Sequence, residues 1–165
     1  MLEPSDGKAA LSGTLPPVVT EKVPSTDDVL LLIAKGAETG RFDLDRIRLM
    51  KAAFLVAMRG PEAWQNQFSF RPYTYGPFDA GIYRARDSLM ERDLLRSDGG
   101  RYDSYVLTDA GHGAVDGIEQ GVGENRASWV RGIGEWVTSR SFASLIQSIY
   151  AEYPDYARDS ALVRG

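Results

Sequence analysis

The feature that most constrains this chain is a strand–turn–strand unit set between two helices. Leu94-Leu95-Arg96-Ser97 is short and strand-like, and Asp98-Gly99-Gly100 supplies turn residues that accept positive φ. Tyr102 to Leu107 alternates as the return strand, and Thr108-Asp109-Ala110-Gly111 then caps and opens a helix. The hairpin therefore follows a helical unit directly.

That helical unit begins at Ser25-Thr26-Asp27-Asp28. Ser25 suits an N-cap, and the two acids suit the positive end of a helix dipole. Val29 to Ile33 make this first helix very apolar, ending near Gly36 or Gly40. A second helix opens at Asp43 as N-cap. Leu44, Ile47, Leu49, Met50, Phe54, Leu55 and Met58 recur at helical spacing, and Gly60-Pro61 stops it. Arg46, Arg48 and Lys51 are expected on its remaining surface. Phe68 to Phe78 reads as an extended, aromatic-alternating run into a third long helix. Pro77 is placed in that helix's first turn and its end near Leu94, with Phe78, Ile82, Ala85 and Leu89 as the buried stripe. Two further stripes follow, Trp129/Ile133/Trp136/Val137 and Phe142/Leu145/Ile146/Ile149/Tyr150/Tyr153. Each must be buried on the core or on a second subunit.

The expected fold class is α+β, mostly helical: a winged helix-turn-helix core with a two- to three-stranded wing and additional C-terminal helices. The division is a flexible Pro-rich leader over 1–24, the winged-helix domain over 25–123 and C-terminal helices over 124–165. At 165 residues, 43% hydrophobic and 25% charged, the composition is that of an ordinary globular protein. No apolar run approaches the roughly 20 residues of a membrane span, and the first residues do not read as a secretory signal. The chain has no cysteine, which removes disulfides and thiolate chemistry. A cytoplasmic location is the expectation.

No constellation points to catalysis. His112 has neither Cys nor a second His to share a metal, and is expected to face solvent in a helical turn. The acid pairs Asp27-Asp28 and Asp43/Asp45 sit at helix starts, where capping explains them. Gly111, Gly113, Gly117, Gly121 and Gly123 match no phosphate-binding pattern and suggest a loose helix fraying into a linker. Gly132 and Gly134 either weaken their helix or let a neighbour pack closely. The expectation is a non-enzyme with no metal and no cofactor.

Nucleic-acid binding draws most of its affinity from phosphate neutralisation, and the net charge here is −4. From Phe68 to Leu107 six Arg face six acids. The helix before the hairpin turns Ala80, Arg84, Asp87, Ser88 and Glu91 outward, one base against two acids. The counter-signal is Arg71, Tyr73 and Tyr75, with Arg96 and Arg101 expected nearby in the sheet and Arg84 on the adjoining helix. These six are the candidate partner- or nucleic-acid-binding residues. Arg46, Arg48, Lys51 and Arg59 form a second basic cluster, diluted by Asp43 and Asp45.

The pattern F-x-F-x-x-Y-x-Y-G-P-F (Phe68–Phe78), then L-x-x-x-x-L-L (Leu89–Leu95) and Y-x-L-T-x-x-G (Tyr105–Gly111), resembles the YwgA-like proteins. It is also similar to the broader Panacea antitoxin domain. The ending I-Y-x-x-Y-P-x-Y-x-x-x-S (Ile149–Ser160) is similar to the YwgA-like tail. The resemblance covers roughly Asp27 to Ser160. It implies toxin neutralisation by protein contact and brings no catalytic motif. Two readings follow. One is an antitoxin-like or accessory protein that binds a protein partner, with an exposed patch drawn from Tyr73, Tyr75, Trp129 and Trp136. The other is a winged-helix transcription regulator that binds duplex DNA as a homodimer through its C-terminal helices. Charge tilts the balance to the first.

Overall fold

The computed structural model describes residues 22–74, 76–98 and 103–157. Most of the expected leader, Tyr75, the Gly99-Gly100 turn, Arg101 and Tyr102 lie outside the described residues. The leader's last residues do pack: Lys22 N–H donates to the Gly121 carbonyl at 2.8 Å, and Pro24 is buried with its carbonyl on Gln67.

The chain is α+β and mostly helical, with two separate two-stranded antiparallel sheets. Helix α1 (Thr26–Ala37) starts at a reciprocal capping box, Ser25 taking the Asp28 N–H while Asp28 takes the Ser25 N–H. Val29 to Ala34 are buried without a break, so α1 is apolar on every side and sits inside the molecule. Helix α2 (Arg46–Arg59) is capped by Asp45, which accepts from Arg48 N. Asp43, the expected cap, lies outside it: Tyr105 N–H donates to the Leu44 carbonyl, so the chain is still extended there. A short α3 (Glu62–Gln65) follows.

Strands β1 (Arg71–Tyr73) and β2 (Gly76–Phe78) then form a hairpin in which Pro72 faces Pro77, a pair with no N–H to offer. Pro77 is therefore in a strand rather than in a helix. The helix waits for Asp79, whose carboxylate takes Gly81 N–H at 2.9 Å and Ser69 N–H at 2.7 Å. Helix α4 (Ala80–Glu91) buries Ile82, Ala85 and Leu89 as expected. It stops three residues short of Leu94 because Asp93 turns left-handed, at φ 59°.

Strands β3 (Leu95–Ser97) and β4 (Tyr105–Leu107) make the second hairpin, with Leu95 opposite Leu107. A single bridge, Asp45 to Ser104, ties its edge to the residue before α2. Helix α5 (Asp109–Val122), capped by Thr108, is regular over 14 residues. The glycines inside it do not loosen it into a linker, since its Val115 and Val122 are held in the core. In its first turn His112 is half-buried, with Nε2 2.6 Å from Glu38, the residue that caps the end of α1, and Nδ1 3.0 Å from the Thr108 carbonyl.

Helices α6 (Glu124–Thr138) and α7 (Phe142–Glu152) follow, then a 3₁₀ turn over Pro154–Tyr156. The α6 stripe is buried on this chain's own α1 and α2. Helices α1 and α6 cross at close range. A Cβ on Gly36 would fall on the Arg131 backbone, and one on Gly134 on the Ile33 backbone. Two side-chain-free positions let the helix backbones touch. Trp129 leans on Trp64 and Trp136 lies under Arg140, and both rings are half-buried. Among the described residues no helix is long and apolar enough to cross a membrane.

Candidate functional site

Helix α2 was expected to show its bases to water, yet two of them are buried. Arg48 is 6% exposed and Lys51 is 1% exposed. Arg48 sits in phase with α6. Its Nε donates to the Val137 carbonyl and a terminal nitrogen donates to the Arg140 carbonyl, both at 3.0 Å, while the other meets Asp45 at 2.7 Å. The guanidinium thereby satisfies one carbonyl in the last turn of α6 and one just beyond its end. Arg59 is tied to Glu152 and Tyr153 near the end of α7. Only Arg46 of this cluster stays exposed without an internal role of that kind.

Lys51 is directed to the first hairpin. Gly76 in β2 holds φ at +99°, and a Cβ there would stand 3.1 Å from the Lys51 ammonium and 2.7 Å from the Tyr150 hydroxyl. Glycine at 76 therefore serves both the backbone conformation and the approach of these two groups. Burial lowers the Lys51 pKa to about 8, against the opposing pull of the Asp45 carboxylate.

Beside Lys51 lies a cleft of about 400 Å³. Arg46, Ile47, Met50 and Lys51 of α2 form one wall, Tyr73 and Gly76–Phe78 of the hairpin a second, and Tyr83 of α4 a third. Tyr73 is 54% exposed and stacks on Phe78 with ring centres 5.2 Å apart and planes at 28°. Phe78 meets Tyr83 edge-on at 5.7 Å. Burial raises the Tyr83 pKa, opposed by Arg46, so its hydroxyl keeps its proton. Behind Tyr83 the Arg86 guanidinium lies over its ring at 4.6 Å and donates to Tyr105 Oη at 3.0 Å. Among the described lining residues none is acidic. The cleft offers an aromatic face and a cationic face to one small space.

The candidates read from the sequence are only partly brought together. Tyr73 lines the cleft, and Arg71 is exposed two residues away on the same strand. Arg84 is exposed on α4. Arg96 was expected in one sheet with Arg71 and Tyr73. It belongs to the other hairpin, is 61% exposed and lies 4.0 Å from Asp98. Tyr75 and Arg101 lie outside the described residues. The strands separate because the Pro72–Pro77 hairpin packs on α2 and the 3₁₀ turn, while β3–β4 packs on α4, α1 and α5. Lys51 was missed as a site residue. Its signal is a lysine in phase with Leu44, Ile47, Phe54, Leu55 and Met58, the apolar stripe itself.

No group of three or more His, Asp or Glu among the described residues could hold a metal ion. No protein-family model matches the chain, and neither a curated protein nor a solved structure matches it.

Proposed function

We propose that the chain is a non-enzymatic winged-helix protein that acts by binding a protein partner, as an antitoxin-like or accessory module. The order α1, extended Leu44-Asp45, α2, α4, β3–β4 supports the winged-helix reading, with α4 in the place of a recognition helix. The observation that carries the partner reading is how α4 uses its bases. Arg86 is spent on Asp87, Tyr83 and Tyr105, and Arg92, beyond the helix end, on Asp27. What α4 leaves exposed is Ala80, Arg84, Asp87 and Glu91, a face with no net attraction for phosphates. The resemblance carried by Phe68–Phe78 points the same way.

The second reading, a duplex-DNA-binding regulator, is favoured by Arg71, Arg84 and Arg96, all exposed. Fluorescence anisotropy on mixed-sequence duplexes at low salt separates the two. The partner reading expects no saturable binding. Salt-sensitive binding that Arg84→Ala weakens would establish the DNA reading instead. On the protein side, wild-type chain should retain a partner that an Arg71→Ala/Arg84→Ala double variant releases.

A further inference from the structure

We infer that the partner proposed above docks on the exposed face of the β1–β2 hairpin through a short acidic segment. One aromatic side chain of that segment sits in the cleft between α2, the hairpin and α4, and its carboxylates sit on Arg46 and Arg71. The surface is thus assigned on the strength of the protein-partner reading.

The face follows from the register of the hairpin. Arg71 and Tyr73 are two residues apart on β1 and both exposed, while Pro72 between them is half-buried. Arg71 lies directly across from Phe78, and opposed residues of an antiparallel pair share a face. Tyr73 stacks on that same Phe78. Arg71 therefore stands at the rim of the cleft that Tyr73 and Phe78 line.

The charges at this rim are not used within the chain. Arg48, Arg59, Arg86, Arg92 and Arg131 each hold a carboxylate of their own molecule. Among the described residues, Arg46 and Arg71 hold none, and no lining residue is acidic. Both side chains are exposed, so a carboxylate can take either guanidinium without entering the protein. The two stand on different walls, Arg46 on α2 and Arg71 on the hairpin, with the Tyr73 ring between an α2 wall and a hairpin rim.

Depth and spacing set the rest of the occupant. Its ring meets only surface that is open: Tyr73 is 54% exposed, and Ile47, Phe78 and Tyr83 are half-buried. Met50 and Lys51 stay covered beneath them. Arg71 is outside the cleft, so the occupant continues across the surface beyond its ring. Side chains at i and i+2 of an extended segment are roughly 6–7 Å apart, the spacing of Arg71 and Tyr73 on β1. An acid two residues from an aromatic matches it. The segment contacts side chains rather than adding a strand, since Pro72 faces Pro77 and neither has an N–H for a new neighbour. A nucleic-acid strand fits less well. It carries a charge at every nucleotide toward a chain of net charge −4, with Asp87 and Glu91 exposed on α4.

The experiment is fluorescence anisotropy of the full chain with the labelled nonapeptide GSEAFAESG. The charge-reversed GSKAFAKSG, the ring-free GSEAAAESG and a short oligothymidylate are the comparison probes. GSEAFAESG should saturate with a dissociation constant below about 1 mM and at least about tenfold tighter than each of the others. Raising salt from about 0.05 to about 0.5 M should weaken it at least about threefold. Tyr73→Ala and the Arg46→Ala/Arg71→Ala double variant should each weaken it about tenfold. Arg41→Ala should leave it unchanged, because Arg41 is an exposed arginine that lines a different cleft. All these side chains are at the surface, so the variants should fold. The surface is refuted if GSEAFAESG does not saturate, if the charge-reversed or ring-free peptide binds as well, or if Arg41→Ala weakens binding as much as the double variant. Tighter binding of oligothymidylate overturns it in favour of a nucleic-acid site. Saturable duplex binding overturns the partner reading itself, whereas loss of peptide binding with no duplex binding overturns this surface alone.

Discussion

Helix α2 buries two cations three residues apart, and the two regions that receive them are built on opposite logic. Around Arg48 everything is closed: the Val137 carbonyl of α6, the Arg140 carbonyl just past it and the Asp45 carboxylate occupy its donors. Around Lys51 the hairpin stands off from the helix, and a cleft opens with no acid among its described lining residues. Burial alone does not distinguish them, since both side chains are below 10% exposure. The difference lies in what each cation does for its neighbours. Arg48 completes the hydrogen bonding of another element, so removing it orphans carbonyls. Lys51 carries a desolvation cost that shows as its lowered pKa, opposed by the Asp45 carboxylate.

The contrast can be broken by replacing each cation with the same apolar residue. Arg48→Met should lose about 3 kcal/mol in chemical denaturation, because the Val137 and Arg140 carbonyls and Asp45 lose their shared donor. A loss below about 1 kcal/mol would put Arg48 in the same class as Lys51.

Lys51→Met should move stability the other way, by about 1–2 kcal/mol at pH 7, since the ammonium is held against its desolvation. Its folded pKa of about 8 lies below the ordinary 10.5, so between those values the unfolded chain binds more protons and stability rises with pH. Above about 10 the burial-raised Tyr83 and Tyr105 reverse that slope. Denaturation from pH 7.5 to 9.5 should therefore show a rise in the wild type that the variant lacks. An equal rise in both would remove Lys51 as its source.

The smallest stability effect is expected at Tyr73→Ala. That side chain is more than half exposed, and its loss should change stability by less than about 0.5 kcal/mol. A larger drop would make Tyr73 a structural strut of the hairpin rather than the cover of the cleft.

Much of the helical layout was legible in the sequence. Ser25 and Thr108 cap where their side chains predict, Gly60 ends α2, and the stripes Ile82/Ala85/Leu89 and Leu145/Ile146/Ile149 are buried as spaced. Local chemistry fixes such features. The errors arose where a residue's partner is distant in sequence. Pro77 suits a first helical turn locally, but Pro72 claims it for a strand. Arg48 and Lys51 look like surface bases on a helical wheel, and only α6 and the first hairpin bury them. The candidate site suffered most. Tyr73 was found as an aromatic in an exposed run, whereas the cationic wall it faces was counted as solvated surface.

The glycine seam between α1 and α6 has a consequence for how the chain comes into being. Helix α1 is apolar on all sides, and the backbone that covers it at Gly36 and Ile33 is made about a hundred residues later. At ribosomal rates of about 5–20 residues per second, that interval is roughly 5–20 seconds. Through it, Val29 to Ala34 have no α6 to lie against. The two glycines that let the folded helices meet backbone to backbone thus join a segment made early to one made late, and until α6 emerges α1 has α2, α4 and α5 to lean on.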